Sequence, residues 1–426
     1  MMLVALAFFG LLILGLPIGY VLGIAGVVGL LQLGGPEFLT MAPRRFFEGL
    51  DLFTFMAMPL FILAGEIMNR SGITSRLIDF ANALVGYLRG GLAHSNMLAS
   101  VLFSGMTGAA VSDAAAFGNT MVPAMVKQGY SRPFACAVTA AGSIIGPTIP
   151  PSNLMVIYGS LMGVSIAGLF AAGILPGLLI ALLCMCMIAA LGRRLNLPKG
   201  EGGPSLKLIL STFRSSLLAI LMPVMILGAI LFGITTPTEA AALAVLYALV
   251  VGTVVYRSLK WSDLFDMLER TARITGVVFL IIASASILGW WMTFVQLPQM
   301  VAASFLALTT NPEAIIGMIL LLLLAIGLFM DINAALIILA PVLVPLTNAI
   351  GMDPVHAGIM IILTLNISLM TPPVGACLFV LSSVTGEKIE RISGALWPFL
   401  LVQVSVLMLI AFWPDLTLFV PRLLGF

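Results

Sequence analysis

Between Arg273 and Lys388 the chain offers not one lysine or arginine, and Leu, Ile, Ala, Val and Met dominate what lies between. A segment of that length cannot face water. The rest of the chain agrees: of 426 residues, 61% are hydrophobic and 8% charged, with a net charge of +2, whereas soluble domains carry about 25% charged residues. This balance excludes a soluble enzyme, a nucleic-acid binder with a basic face and a disordered scaffold. A bilayer core about 30 Å thick takes roughly 20 apolar residues per helical span, and the apolar runs supply about ten or more crossings or half-crossings. The runs are long, rich in Leu, Ala and Met, and do not alternate, which predicts helices rather than barrel strands. The expected fold class is an all-α polytopic membrane protein, with the lipid bilayer as its solvent.

The expected membrane stretches are 2–33 (broken near Pro17), 52–68, 92–126, 133–164 and 166–191. After a polar segment at 193–214 follow 215–233, 238–256, 274–296, 298–311, 312–349, 355–386 and 393–414. Gly19 and Gly23 stand four apart, a spacing that suits close helix packing more than a dimer interface. The N-terminal run lacks a preceding basic region, so no cleaved signal is expected. Clusters of Lys and Arg mark the cytoplasmic side: Arg70 to Arg89, Lys127 with Arg132, the 193–214 segment, Arg257 to Arg273, and Lys388 with Arg391. Arg44 and Arg45 break this alternation, so 36–50 is expected to lie along the interface as an amphipathic helix.

Stretch 92–126 has basic loops on both flanks, and its middle, Ser104 to Asp113, is small and polar. Polar backbone at membrane depth is tolerated where it lines a cavity. A re-entrant hairpin fits this pattern; two full spans are the alternative. Sliding the sequence by 222 residues pairs Gly105 with Gly327, Pro123 with Pro345, Gly129 with Gly351, and Pro150-Pro151 with Pro372-Pro373. The loop Lys127–Arg132 is basic where its partner near Gly351 is not, and Glu387–Arg391 is basic where its partner near Ser165 is not. The copies are therefore expected to face opposite sides, as inverted-topology repeats do in secondary transporters. The first repeat is placed at 1–205, with hairpin 92–126 and broken helix 133–164. The second is 206–426, with hairpin 312–349 and broken helix 355–386.

Each broken helix carries a Pro-Pro pair, Pro150-Pro151 and Pro372-Pro373. Proline removes a donor and frees carbonyls one turn back, and a dehydrated Na⁺ is a suitable partner for them; for one break alone a structural kink is the plainer reading, but two at matched repeat positions, each paired with a polar hairpin, favour the ion. Asp113 and Asp331 are the acids deepest in the hairpins, and intramembrane carboxylates are functional candidates by default, with helix capping as the competing role. Thr236-Pro237-Thr238-Glu239 reads as a capping box, and Glu66 as structural. The four cysteines, Cys136, Cys184, Cys186 and Cys377, read as small buried residues. Two distant histidines make a histidine metal centre improbable, and no phosphate-binding loop is present.

The stretches Gly90-Gly91-Leu92-Ala93-His94, Ser112-Asp113-Ala114-Ala115, Ile145 to Ser152, Met155 to Gly159, Thr235 to Ala240, Met330-Asp331, Pro354-Val355-His356 and Thr371-Pro372-Pro373-Val374-Gly375 resemble, end to end, the large membrane subunit of TRAP transporters, the tripartite ATP-independent periplasmic transporters. The resemblance implies uptake of an organic acid across the bacterial cytoplasmic (inner) membrane, driven by Na⁺. It implies two partners, a small four-helix membrane subunit and a periplasmic substrate-binding protein, and a scaffold part with a transport part that moves as an elevator. It places one Na⁺ at Gly105, Gly146, Ile149 and Ser152 and a second at Gly327, Ser368, Thr371 and Val374. Substrate would sit near Ser112, Asp113, Asp331 and Asn333. Thr148, Ser368 and Ile332-Asn333 depart from the family pattern. The runner-up is a stand-alone Na⁺/carboxylate symporter of similar architecture. A channel lacks its ring of polar residues here, and an intramembrane enzyme lacks its catalytic constellation.

Overall fold

The computed structural model describes residues 1–200 and 203–426, with the side chains of all of these but Pro36, Met106 and Thr107. Among the described residues there is no strand, only helices, turns and one isolated bridge between Arg89 and Lys199. Among the described residues six helices are long and apolar enough to cross a membrane by length and composition. They become seven if Glu37–Glu48 and Phe53–Arg70, which meet at a 52° bend, form one broken span. The same residues hold seven shorter apolar helices of 10–17 residues.

Most element boundaries follow local chemistry. Helices Met2–Ile13 and Ile18–Gly34 are separated around Pro17. Helix Pro237–Val250 opens with both halves of its capping box: the Thr236 amide donates to Glu239 Oε2 at 2.8 Å, and the Glu239 amide to Thr236 Oγ1 at 3.3 Å. Helix Met41–Glu48 holds Arg44 and Arg45 against Glu48 at 2.7 and 2.9 Å, with Arg45 over the Trp290 ring. Two helices were not anticipated. Ile73–Val85 hides among the charges of 70–89, yet buries Ile73, Leu77, Phe80 and Ala81 along one face, the spacing of an amphipathic helix. Asp415–Leu424 is a short C-terminal helix burying Leu418 and Pro421. Helix Trp261–Phe294 starts well before the expected 274, and Leu206–Leu231 begins inside the segment read as polar. Cys186 corrects the cysteine reading: it is exposed on Ile166–Arg194 while the other three cysteines are buried.

Two parallel helix pairs organise the scaffold, the first along a glycine-rich seam. A Cβ added at Gly19, Gly23, Gly26 or Gly29 would meet Leu280, Ser284, Ile287 and Trp291 in turn, at 2.7–3.2 Å. The rising order on both sides means that Ile18–Gly34 and Trp261–Phe294 run parallel, in contact close enough at Gly26 and Gly29 that an added carbon would force a shift. A second parallel pair joins Phe53–Arg70 to Pro237–Val250: Thr238 donates to the Phe53 carbonyl at 3.4 Å at one end, and Ser258 to the Ser71 carbonyl at 3.0 Å at the other. Between these pairs, Ala57–Arg70 and Trp261–Phe294 run antiparallel, tied by Arg70 to Asp263 and Asp266 and by Glu66 to Arg270.

The remaining helices form the part that carries the hairpins. Stretch 92–126 is Gly91–Thr107 and Ala110–Lys127; stretch 312–349 is Pro312–Gly327 and Ile332–Ala349. Each Pro-Pro pair separates two half-helices, Arg132–Ser143 from Asn153–Met162 and Pro354–Ser368 from Ala376–Thr385. The Pro150-Pro151 and Pro372-Pro373 bonds are both cis. Cross-contacts run in opposite order along the two broken helices: Cys136 to Thr385 at 3.4 Å, Ser143 to Cys377 at 3.6 Å, Thr148 to Asn366 at 3.5 Å and Tyr158 to the Pro354 carbonyl at 3.5 Å. The broken helices are therefore antiparallel neighbours.

Candidate functional site

Both hairpin tips and both breaks meet at a cavity of about 640 Å³, inside the size range of small-molecule sites. The first tip contributes Gly108 to Ser112, the second Gly327 to Asn333. The breaks contribute Pro147, Asn153 and Leu154 on one side and Leu369 and Val374 to Ala376 on the other. Scaffold residues close it: Met58, Ile62 and Glu66 from Ala57–Arg70, and Arg270, Ile274 and Val278 from Trp261–Phe294. Among the described residues its charged groups are Glu66, Arg270 and Asp331.

The first tip closes on its break through glycine. Gly108 has φ +59°, and a Cβ there would lie 2.7 Å from the Pro151 carbonyl oxygen and 3.3 Å from the Asn153 nitrogen. Gly105, assigned to the ion site from sequence, packs against Pro223 of Leu206–Leu231, and Gly108 is the glycine in contact with the break. Gly146 lies under the Asp113 carboxylate, so a Cβ on it would overlap that group. Ile149 packs beneath Gly177. Ser152 is 1% exposed, and its hydroxyl has no hydrogen-bond partner among the described residues. Buried polar groups are nearly always satisfied, so an orphan here, one residue beyond the Pro-Pro pair, is the kind of oxygen a cation uses.

The second set is arranged differently. Gly327 abuts the Ser368 hydroxyl, which donates to the Leu365 carbonyl at 2.6 Å; Thr371 donates to the Ile367 carbonyl at 2.8 Å. Both hydroxyl oxygens keep lone pairs for a further partner. Val374 faces the cavity and is 37% exposed.

The two acids separate. Asp331 lines the cavity and caps Ile332–Ala349, its Oδ1 accepting from the Asn333 and Ala334 amides at 2.9 and 3.2 Å, so the capping role holds for it. Asp113 does not cap; Ala109 precedes the helix, and Asp113 sits within it, fully buried. Ser112 and Asn333 line the cavity with Asp331, whereas Asp113 is turned away from it toward Gly146. Sequence reasoning missed two wall residues. Glu66, read as structural, and Arg270, read as a cytoplasmic marker, pair at 3.2 Å on the cavity wall. Glu66 left a signal, a lone acid set inward from the charged end of its helix, whereas Arg270 stands between Glu269 and Arg273 and left none.

Helical hairpins meeting broken helices over a polar cavity are a means of holding a small polar cargo away from lipid, and the chain is a multi-pass membrane transport protein. It belongs to the family described as "Tripartite ATP-independent periplasmic transporter, DctM component", whose model matches residues 5–416. It is similar to the sialic acid TRAP transporter large permease protein SiaM of Vibrio cholerae, 41% identical over 97% of this chain and 96% of that one. It is also similar to the 2,3-diketo-L-gulonate large permease YiaN of Escherichia coli, at 37% over 95% and 94%. The C4-dicarboxylate large permease DctM of Pseudomonas aeruginosa matches at 36%, again over 95% and 94%. Among solved structures, the YdaH transporter of Alcanivorax borkumensis superposes with a TM-score of 0.62 at 17% identity, covering 97% and 98% of the two chains. MtrF of Neisseria gonorrhoeae gives 0.58 at 14%, covering 92% and 93%. At that identity the likeness shows a shared fold. The chain is thus a large permease subunit of this transporter family, and its relatives are permeases, not enzymes.

Proposed function

We propose that the chain takes up an organic acid, coupled to Na⁺, across the bacterial inner membrane, working with a small membrane subunit and a periplasmic protein that delivers the substrate. The observation that carries this reading is the charge of the cavity where both tips and both breaks meet. Glu66, Asp331 and Arg270 leave its wall net negative, with the Asp113 carboxylate buried behind it. An anion enters such a site only when cations accompany it, because like charges in low dielectric repel strongly. The orphan Ser152 hydroxyl at one break and the paired Gly327 and Ser368 at the other supply oxygen-rich places for those cations. The breadth of substrates in the relatives' names supports a carboxylate as the cargo class. Family membership disfavours the stand-alone symporter. Uptake in proteoliposomes containing all three components is expected to require a Na⁺ gradient and to ignore ATP. Uptake that persists without Na⁺ and follows a proton gradient overturns the coupling.

The antiparallel broken helices and the exchange of scaffold partners, Ile18–Gly34 with Trp261–Phe294 and Pro237–Val250 with Ala57–Arg70, support an inverted repeat of 1–205 and 206–426, moving as an elevator. Single cysteines at Gln128 and Met352, in a background with Cys186 replaced by Ser, are expected to label from opposite faces of the membrane. Labelling from one face removes the inversion. For the second ion site, Thr371→Val keeps shape but deletes one oxygen, at about 1–3 kcal/mol. The Na⁺ concentration for half-maximal uptake is then expected to rise several-fold or more, since 1.4 kcal/mol is tenfold in affinity. An unchanged Na⁺ dependence would reduce Thr371 to its bond with the Ile367 carbonyl.

A further inference from the structure

The wall between the two antiparallel scaffold helices holds an ion pair with unequal partners. Arg270 meets Glu66 through Nε alone, at 3.2 Å, and its side chain is 58% exposed while that of Glu66 is 11% exposed. Among the described residues Arg270 makes no ion pair with a second acid. Its neighbours are engaged otherwise: Arg70 reaches Asp263 and Asp266 at 3.4 Å each, and Arg273 holds Glu269 at 2.7 Å. Both of these face other acids, and neither lines the cavity. Arg270 does, and it is the cationic side chain that does so among the described residues.

A guanidinium presents five donors in a planar fork that matches a carboxylate bidentately. Here Nε faces Glu66, and the other donors of the guanidinium belong to a side chain that lines the cavity. On the tip side, Asp331 has Oδ1 committed to two backbone amides, so it offers an anion nothing but repulsion. An acid entering the cavity has one cationic side chain to find.

We propose that Arg270 anchors the carboxylate of the transported acid and that Glu66 is its resting partner, displaced when the acid binds and returning when it leaves. This rests on the reading of the chain as an organic-acid permease. The pair then sets two quantities at once. Arg270 sets the affinity for the anion, and Glu66, by competing for the same guanidinium, keeps that affinity low enough for release.

The test uses the three-component transporter in proteoliposomes, with sialic acid, 2,3-diketo-L-gulonate and succinate as probes under a saturating Na⁺ gradient. For the acid that the wild type takes up, Arg270→Gln is expected to raise the half-saturating concentration at least about tenfold, the worth of a charge-assisted bond. Arg270→Lys, which keeps charge without the fork, is expected to fall between. Glu66→Gln is expected to lower both the half-saturating concentration and the maximal rate, because release slows. The double variant separates anchoring from simple pairing. If Arg270 only satisfies Glu66, then Glu66→Gln with Arg270→Gln restores wild-type affinity, and the anchor is overturned. If it anchors substrate, the double variant stays as weak as Arg270→Gln. Arg270→Gln with wild-type affinity also overturns it. A wild type that takes up none of the three acids overturns the functional reading beneath it, and the wild-type arm alone reports that failure.

Discussion

Gly108→Val is expected to cut uptake about a hundredfold while the protein still reaches the membrane. Two costs fall on one position. The residue sits in the left-handed region at φ +59°, where an L side chain costs about 1–2 kcal/mol and a β-branched one is an outlier. The new Cβ would also lie 2.7 Å from the Pro151 carbonyl oxygen and 3.3 Å from the Ser152 Cα. Those are backbone atoms, so no rotamer change relieves the overlap. The tip must lift from the break, and about 2.7 kcal/mol of lost closure corresponds to a hundredfold. The site is local to the tip, so thermal unfolding of the purified protein should move little. Wild-type uptake in Gly108→Val would mean that the tip and the Pro-Pro break part during transport without consequence.

The second large effect is expected at Gly146. Gly146→Ala adds one methyl, yet that methyl would overlap the Asp113 carboxylate and lie 3.3 Å from the Ser143 carbonyl oxygen. Overpacking of this kind costs about 1–3 kcal/mol, and here it also pushes a fully buried acid into apolar surroundings, which adds a desolvation cost. Both the melting temperature and Na⁺-dependent uptake should fall. Asp113→Ala in the same chain makes room and should recover much of the melting temperature without restoring the Na⁺ dependence. Asp113→Asn, of equal size, should recover neither. A Gly146→Ala protein with unaltered stability would show that Asp113 turns aside freely and is not held against the break.

How far the sequence foresaw this arrangement depended on what kind of signal each part leaves. The hairpins and broken helices were legible because Gly and Pro at matched spacing leave a mark that survives translation by 222 residues. The arms begin at Ala110 and Ile332, and the half-helices at Arg132 and Pro354, at that same offset. The capping box at Thr236 and Glu239 was legible because it is wholly local. Helix Ile73–Val85 was not, since three nearby arginines outweighed its buried face. The distinct placements of Asp113 and Asp331 were also invisible. Capping depends on where the helix begins, and Asp113 lies four residues into its helix while Asp331 lies just before its own. The pairing of Glu66 with Arg270 spans some two hundred positions and arises only from the antiparallel docking of two scaffold helices.

The glycine seam between Ile18–Gly34 and Trp261–Phe294 has a mechanical consequence. Four contacts follow one another along it, and at two of them, Gly26 and Gly29, an added carbon would lie under 3.0 Å from Ile287 and Trp291, so the helices act like meshed teeth and neither slides a turn past the other without a collision. Interlocking of this kind resists shear between the two helices, so they hold their register as one body.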